Sequence, residues 1–295
     1  MPRTIKKKKE DANITPGMFV IEGEPEIVTE TRKIILDAFK ELEFDEPTHT
    51  YNLKGTILPS VTTVLHKFEE PFDEDRIAEG YAMKNGFTKE YWLDKWKYKN
   101  LMATTTGTLV HEWGESYFYV RAGHPEMICD SCKCKYVKDK NWLIPTRPKE
   151  EAIVKFYDEL NPNLYPLLAE AKMFTGLNKE KTNLKQDVAG TGDILFYYID
   201  PKDSKKNGVA IFDYKNNGNL FNDFSRSKGK TLLSPFDDMI SEAKSLYELQ
   251  LSTYTLPLED LGLNVIARRL VWLKPDGTYE IVPVGNKTQI LRETL

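Results

Sequence analysis

The sequence predicts a mixed α/β (α+β) fold: an α-β-β-β-α-β core whose central mixed sheet is flanked by helices, preceded by a mostly helical N-terminal layer. Three observations lead there. Apolar runs of strand length follow one another at 167–174, 192–199 and 208–214. Segments with helical apolar spacing come before and after them. Hydrophobic residues make up 40% of 295 positions and aromatics 12%, enough to build a substantial core between helices and a sheet.

Taken in order, residues 1–20 read as a solvated tail in which Lys6 to Lys9 form a basic run. Such a run serves solubility or contacts nucleic acid. Residues 21–104 are expected to form the helical and hairpin layer. Ile34, Ile35, Ala38, Phe39 and Leu42 recur at helical spacing over 31–42. A hairpin is expected from His49–Leu53 and Thr56–Leu58 around Lys54-Gly55, with Ser60 as the N-cap of the segment that follows. Residues 75–100, rich in charge and carrying Trp92, Trp96 and Tyr98, read as helical.

The core is expected over residues 105–295. It starts with a helix at Thr106–Arg121, followed by an irregular Cys-containing insertion at about 124–147 and a helix at Lys149–Leu160. The three strands come next, the last two joined across the turn-rich Pro201–Gly208 segment. A long helix is predicted from about Pro235 to Leu256, then strands at Val265–Leu273 and Tyr279–Val284 around Asp276-Gly277.

Composition excludes several classes. The 45 Asp and Glu exceed the 41 Lys and Arg, leaving a net charge of −4, so the chain is no histone-like polycation. That balance still permits a nucleic-acid enzyme, because local patches rather than net charge hold phosphates. No stretch approaches the roughly 18 apolar residues of a membrane helix. The basic N-terminus has no apolar stretch behind it and is not expected to act as a signal peptide. Three clustered cysteines make no disulfide framework, and a reducing cytoplasm is the expected compartment.

Four short patterns fall on this frame. Gly107-Thr-Leu-Val-His111, with Glu115 one turn on, lies in a predicted helix; such a His–Glu pair is either a surface pair or part of a site. Gly190-Thr-Gly-Asp193 leads into an apolar strand, where an Asp is often only a turn residue. Asp213-Tyr-Lys215 ends the next strand, its two charged side chains leaving the same face. Gln250-Leu-Ser-Thr-Tyr254 sits on the long helix, joined on one face by Tyr247; half-buried tyrosines of an amphipathic helix would look the same.

Together, in this order, the four resemble the PD-(D/E)XK nuclease superfamily, and most closely its RecB-like and lambda-exonuclease-like branch, many of whose members are bacteriophage or repair exonucleases. The resemblance covers roughly residues 105–275, with a weaker likeness over His49–Leu65. It implies a restriction-endonuclease-like core and a metal-dependent DNA nuclease. An exonuclease processing DNA ends is the expected form; a structure-specific endonuclease and a non-catalytic nucleic-acid-binding protein on the same fold are the alternatives. The superfamily's Pro-Asp is Gly192-Asp193 here, and Asp213 stands where many relatives carry Glu; both variants suit this branch.

The resemblance further implies Mg²⁺ or Mn²⁺, one or two ions, held by Asp193, Asp213 and the Tyr214 backbone carbonyl, with His111 completing the site and Glu115 and Glu170 as additional candidates. Hard cations choose such oxygen donors. Lys215, with Asp213 and Asp193, is the expected catalytic set: the ion acidifies a water and Lys215 orients it. Gln250 and Tyr254 are expected to position the DNA backbone or to brace the active-site strands, and Lys228 and Lys230 to position DNA, double- or single-stranded. A recombinase or single-strand-binding protein is the implied class of protein partner; no membrane is expected, the oligomeric state stays open, and the cytoplasm would be that of a host if the chain is viral. Between Lys202 and Lys230 seven basic residues face three acidic ones, a patch expected to flank the catalytic strand.

Two further strings carry weaker signals. Gly229-Lys230-Thr231 resembles a phosphate loop, but Phe224 stands where that loop needs a glycine. Cys129, Cys132 and Cys134, with His124 upstream, are candidate ligands of a structural Zn²⁺ or else free thiols.

Overall fold

The computed structural model describes residues 21, 23–45, 48–125, 146–177 and 184–295, together with the backbone of two short paired strands, β4 (Lys135–Val137) and β5 (Trp142–Ile144). The basic tail and the three cysteines lie outside the described residues.

Helix α1 (Glu26–Phe39) is followed by an antiparallel three-stranded sheet, β1 (Leu42–Asp45), β2 (Thr50–Leu53) and β3 (Thr56–Leu58). The expected hairpin is present around Lys54-Gly55, whereas Leu42 leaves the predicted helix to open β1. Ser60 caps α2 (Val61–Leu65), accepting the Thr63 N–H at 3.1 Å. Asp73 caps α3 (Glu74–Asn85), Gly86 ends it in the left-handed conformation, and Thr88 caps α4 (Lys89–Arg121). This helix runs unbroken for 33 residues through the boundary expected at residue 104, joining the two helical segments read separately in the sequence.

Then come α5 (Arg147–Asp158), β6 (Leu164–Phe174), β7 (Ala189–Tyr198), β8 (Gly208–Lys215), α6 (Asp223–Lys228), α7 (Ala243–Asp260), β9 (Val265–Leu273), β10 (Tyr279–Pro283) and α8 (Thr288–Thr294). The predicted α-β-β-β-α-β order is present, extended by the antiparallel β9–β10 hairpin. The long helix starts later than expected. Leu232, Phe236 and Met239 have helical spacing but are buried by a looped segment, in which Thr231 bridges Ile240 and the Leu232 N–H meets the Met239 carbonyl at 2.9 Å.

The five strands lie in the order β10-β9-β8-β7-β6, antiparallel except for the parallel pair β8–β9. Side-chain alternation separates two cores. Val209, Ile211 and Leu195 pack with α1, α2 and α7, while Ala210, Phe212 and Phe196 pack with α5 and the C-terminal part of α4. No helix among the described residues is long and apolar enough to cross a membrane.

Besides the shared core, one buried side chain ties the N-terminal layer to the edge of the sheet. β6 is an edge strand with a register shift between Pro166 and Leu168, which turns backbone carbonyls away from the ladder. The Arg32 guanidinium takes up the carbonyls of Leu167 (2.9 Å) and Pro166 (2.8 Å) and pairs with both Glu24 carboxylate oxygens at 2.6 and 2.8 Å. Burial would raise the Glu24 carboxyl, but Arg32 and the Thr29 hydroxyl together hold it below its ordinary value.

Arg32→Leu strands Glu24 and two carbonyls, and is expected to cost about 3–5 kcal/mol in urea unfolding. Because the folded carboxyl of Glu24 titrates below its unfolded value of 4.5, its contribution is complete above that value and is lost as pH falls through the folded one. The stability difference between wild type and Glu24→Gln, measured from pH 7 to pH 2, is therefore expected to shrink only on the acid side of pH 4.5.

Candidate metal centre

Asp193 is not a turn residue at a strand start; it lies inside β7, with four residues of that strand ahead of it. The β7–β8 ladder runs from Tyr198↔Gly208 to Ile194↔Phe212 and stops there. The next pair in register is Asp193 and Asp213. In place of a further ladder bond, the Tyr214 N–H donates to the Asp193 carboxylate at 2.7 Å. On the other side of β7, Glu170 falls opposite Asp193 and has a φ of 48°, in the left-handed region that a glutamate rarely adopts. Three neighbouring strands thus bring one carboxylate each to the same level of the sheet.

His111 reaches this level from α4, across the opposite face, at the place where the ladder has ended. Its Nδ1 lies 3.3 Å from an Asp193 carboxylate oxygen. Two close approaches make the meeting possible. A Cβ on Gly114 would stand 2.8 Å from the Tyr214 ring, so only glycine lets α4 settle onto β8. A Cβ on Gly190 would stand 2.5 Å from the Tyr254 ring, which seats α7 on β7.

His111, Glu170 and Asp193 each present a ligand atom, all within 4.8 Å of one another. One imidazole nitrogen and two carboxylates are donors that a divalent cation of the Mg²⁺ or Mn²⁺ type accepts, so the residues present fit such an ion. Of the expected ligands, His111, Asp193 and Glu170 form this group, and Asp213 and Glu115 are not among its three members. Asp213, next to Asp193 in register, is in direct contact with the Lys215 ammonium, and the Tyr214 N–H, not its carbonyl, is engaged with Asp193.

Charge coupling binds these groups together. Burial alone would lower the His111 imidazolium, but the Asp193 carboxylate overrides it and pushes it up to about 9. Burial would raise Asp193; the His111 and Lys215 charges and the Tyr214 N–H hold it below its ordinary value. Burial and the negative charge of Asp193 push Asp213 up to about 6, against the pull of Lys215. Burial disfavours the Lys215 ammonium, yet the two aspartates raise it above its usual value.

Gln250 and Tyr254, expected at the DNA backbone or as braces of the strands, are buried. The Lys215 ammonium meets the Gln250 carbonyl oxygen at 3.5 Å and the Tyr247 ring at 4.1 Å from its centroid, and the Gln250 amide donates to the Tyr254 hydroxyl at 3.0 Å. Both therefore hold Lys215 and the strands in place. Gln250 and Tyr247 also line a cleft of about 340 Å³ with Thr62, His66, Asn222 and Glu242. The basic patch is divided by strand geometry. Lys202, Lys205 and Lys206 sit at the β7–β8 turn, the far end of β8 from Lys215, about 23 Å away at strand pitch. Lys228 ends α6, and Lys230 pairs with Glu70 at 3.4 Å. His124 follows α4, while its cysteine partners in the zinc reading lie outside the described residues.

Sequence reasoning missed Gly114 and Lys149. Gly114 was legible as a second small residue three positions beyond His111 in the same helix. Lys149 donates to the carbonyls of Asn216 (2.7 Å) and Leu273 (3.2 Å), fixing the chain just after Lys215; burial pulls it down to about 8. No local pattern marks such a lysine.

Calorimetric titration with Mn²⁺ is expected to give one saturable site, weakened at least about tenfold by Asp193→Asn and by Glu170→Gln. Gly190→Ala, which overpacks the Tyr254 contact, is expected to lower thermal stability by about 1–3 kcal/mol. Equal Mn²⁺ affinity in the wild type, Asp193→Asn and Glu170→Gln would show that this group does not hold the ion.

Comparison with known proteins gives no match to any family model, to any curated protein or to any solved structure, so the functional reading stands on the site's own chemistry.

Proposed function

We propose that the protein is a Mg²⁺- or Mn²⁺-dependent DNA nuclease of the PD-(D/E)XK type, acting on DNA ends. The observation that carries the reading is the convergence of His111, Glu170 and Asp193 beside the Asp213–Lys215 pair, at the point where β7 and β8 part. The order of the four motifs along the chain supports it.

In this mechanism His111, Glu170 and Asp193 hold the cation. When bound, the ion supplies Lewis-acid stabilisation of the scissile phosphate and acidifies water at neutral pH. Lys215 presents its ammonium beside the same carboxylates, where it orients the attacking water and offsets negative charge developing on phosphorus. Asp213 holds that ammonium on one side, and Gln250 with the Tyr247 ring holds it on the other. Tyr214 keeps Asp193 aimed through its N–H. The ring of Tyr214, packed beneath Gly114, fixes the distance between α4 and the strand. The reaction is proposed to run in a reducing cytoplasm, that of a host if the chain is viral, with a recombinase or a single-strand-binding protein as the class of partner.

The test uses linear duplex and single-stranded DNA, labelled separately at the 5′ and 3′ ends, with Mn²⁺ or Mg²⁺ and an EDTA control. Metal-dependent shortening from one end is the expected result and fixes the polarity; internal cuts would mean an endonuclease. Lys215→Ala is expected to lose at least about a hundredfold in rate while keeping its Mn²⁺ affinity. Full activity in that variant would overturn the assignment. Tight, salt-sensitive binding without cleavage on any substrate would identify a nucleic-acid-binding protein.

A further inference from the structure

Helix α4 is anchored at one end. Its buried residues all lie from Val110 onward, and from Lys89 to Leu109 not one residue is buried. That first stretch, about 31 Å of helix, has α3 as its main neighbour. Trp92 and Trp96 turn toward α3 and meet Tyr81 at 5.1 and 5.7 Å. The other faces stay open. Of the twelve large hydrophobic residues exposed among the described residues, six lie between positions 72 and 98. Apolar exposure gathered in this way marks a contact surface, whereas single exposed residues do not.

Helix geometry sorts these residues into a stripe on the side away from α3. Tyr91, Asp94, Tyr98 and Leu101 recur three and four apart. Tyr91 and Tyr98 are 42% and 55% exposed, and Phe87 stacks on the Tyr91 ring at 4.4 Å. Glu90 and Lys97, two turns apart, run along one edge of the stripe. Charge changes sign along it: Glu90 and Asp94 come first, and Lys95, Lys97 and Lys99 follow. Asp75 and Glu79 of α3 are taken up by Lys89. Among the described residues, Glu90, Asp94, Lys97 and Lys99 form no ion pair.

We propose that this stripe is where a second copy of the chain docks, the two α4 helices lying antiparallel about a two-fold axis near Asp94 and Lys95. Charge complementarity names the occupant, because an acid-then-base stretch matches its own reverse. About that axis Glu90 falls level with Lys97 and Lys99 of the second copy, Tyr91 comes opposite Tyr98, and Phe87 comes opposite Leu101 and Met102. The Asp94 carboxylates approach each other at the axis, where Lys95 and Lys97 supply the opposite charge. A parallel pairing would instead set acid against acid and lysine against lysine. The contact is isologous, so it closes at two copies. One helix face is small beside the roughly 1,200–2,000 Å² of a stable interface, so the dimer is a weak, exchanging one. His111 lies about 25 Å along the helix from Asp94, which puts the two metal centres about 50 Å apart along the paired helices. Neither centre borrows a residue from the other copy, and the proposal does not depend on the nuclease reading.

Sedimentation velocity of the full chain, from about 1 to 300 µM, is expected to show dimers with a dissociation constant of about 10–100 µM. Glu90→Lys with Asp94→Lys makes the stripe wholly basic, and Lys97→Glu with Lys99→Glu makes it mainly acidic. Each double variant alone is expected to associate at least about tenfold more weakly than the unaltered chain. An equal mixture of the two is expected to recover association, because the basic stripe then meets the acidic one. Thermal midpoint and Mn²⁺ affinity are expected to stay unchanged in both, since all four residues are exposed and Lys99, the nearest, is about 18 Å of helix from His111. A chain that stays monomeric at every concentration would overturn the proposal. Double variants that dimerise like the unaltered chain, or a mixture that stays monomeric, would overturn it as well.

Discussion

The site depends on a single exchange of hydrogen-bond partners. Two antiparallel strands would ordinarily continue their ladder past Ile194 and Phe212. Here the Tyr214 N–H leaves the ladder for the Asp193 carboxylate. That bond satisfies a buried donor and aims a buried anion at the point where the two strands part. A carboxylate so deeply placed is tolerable only because His111, Lys215 and this N–H surround it with positive charge and a donor. Glu170, held at a left-handed φ on the neighbouring strand, is the second sign that backbone regularity has been given up at this level of the sheet.

Around that opening, close packing does the positioning. Gly114 and Gly190 lie on different elements, yet both allow a tyrosine ring to sit against backbone, Tyr214 under α4 and Tyr254 on β7. The consequence is a distance: α4 comes close enough for an imidazole to reach a carboxylate on the other side of the parted strands. Gln250 serves in the same way for Lys215, by accepting from its ammonium while donating to Tyr254. Arg32 does for the outer edge what these residues do for the centre, binding carbonyls released by the β6 register shift so that the N-terminal layer and the sheet share one core.

The charges at the parted strands act at short range among buried groups, where each is worth more than on the surface.

The sequence by itself determined the order of the core strands and helices and most of the residues that meet at the site, but not β1, which it merged into the preceding helix. Apolar runs of strand length identify β6 to β8, Ser60 identifies a helix start, and His111, Asp193, Asp213 and Lys215 fall on elements that local pattern can locate. Spacing misled where burial came from a loop: Leu232, Phe236 and Met239 mimic a helix that begins only at Ala243. Only the tertiary structure decided which donors share an atom-scale space, bringing Glu170 to His111 and Asp193 and setting Asp213 against Lys215. It likewise separated Lys202, Lys205 and Lys206 from the site by the length of a strand. The reason is physical: periodicity fixes the face a side chain leaves from, whereas which faces meet, and where a ladder breaks, depends on contacts between residues far apart in the chain.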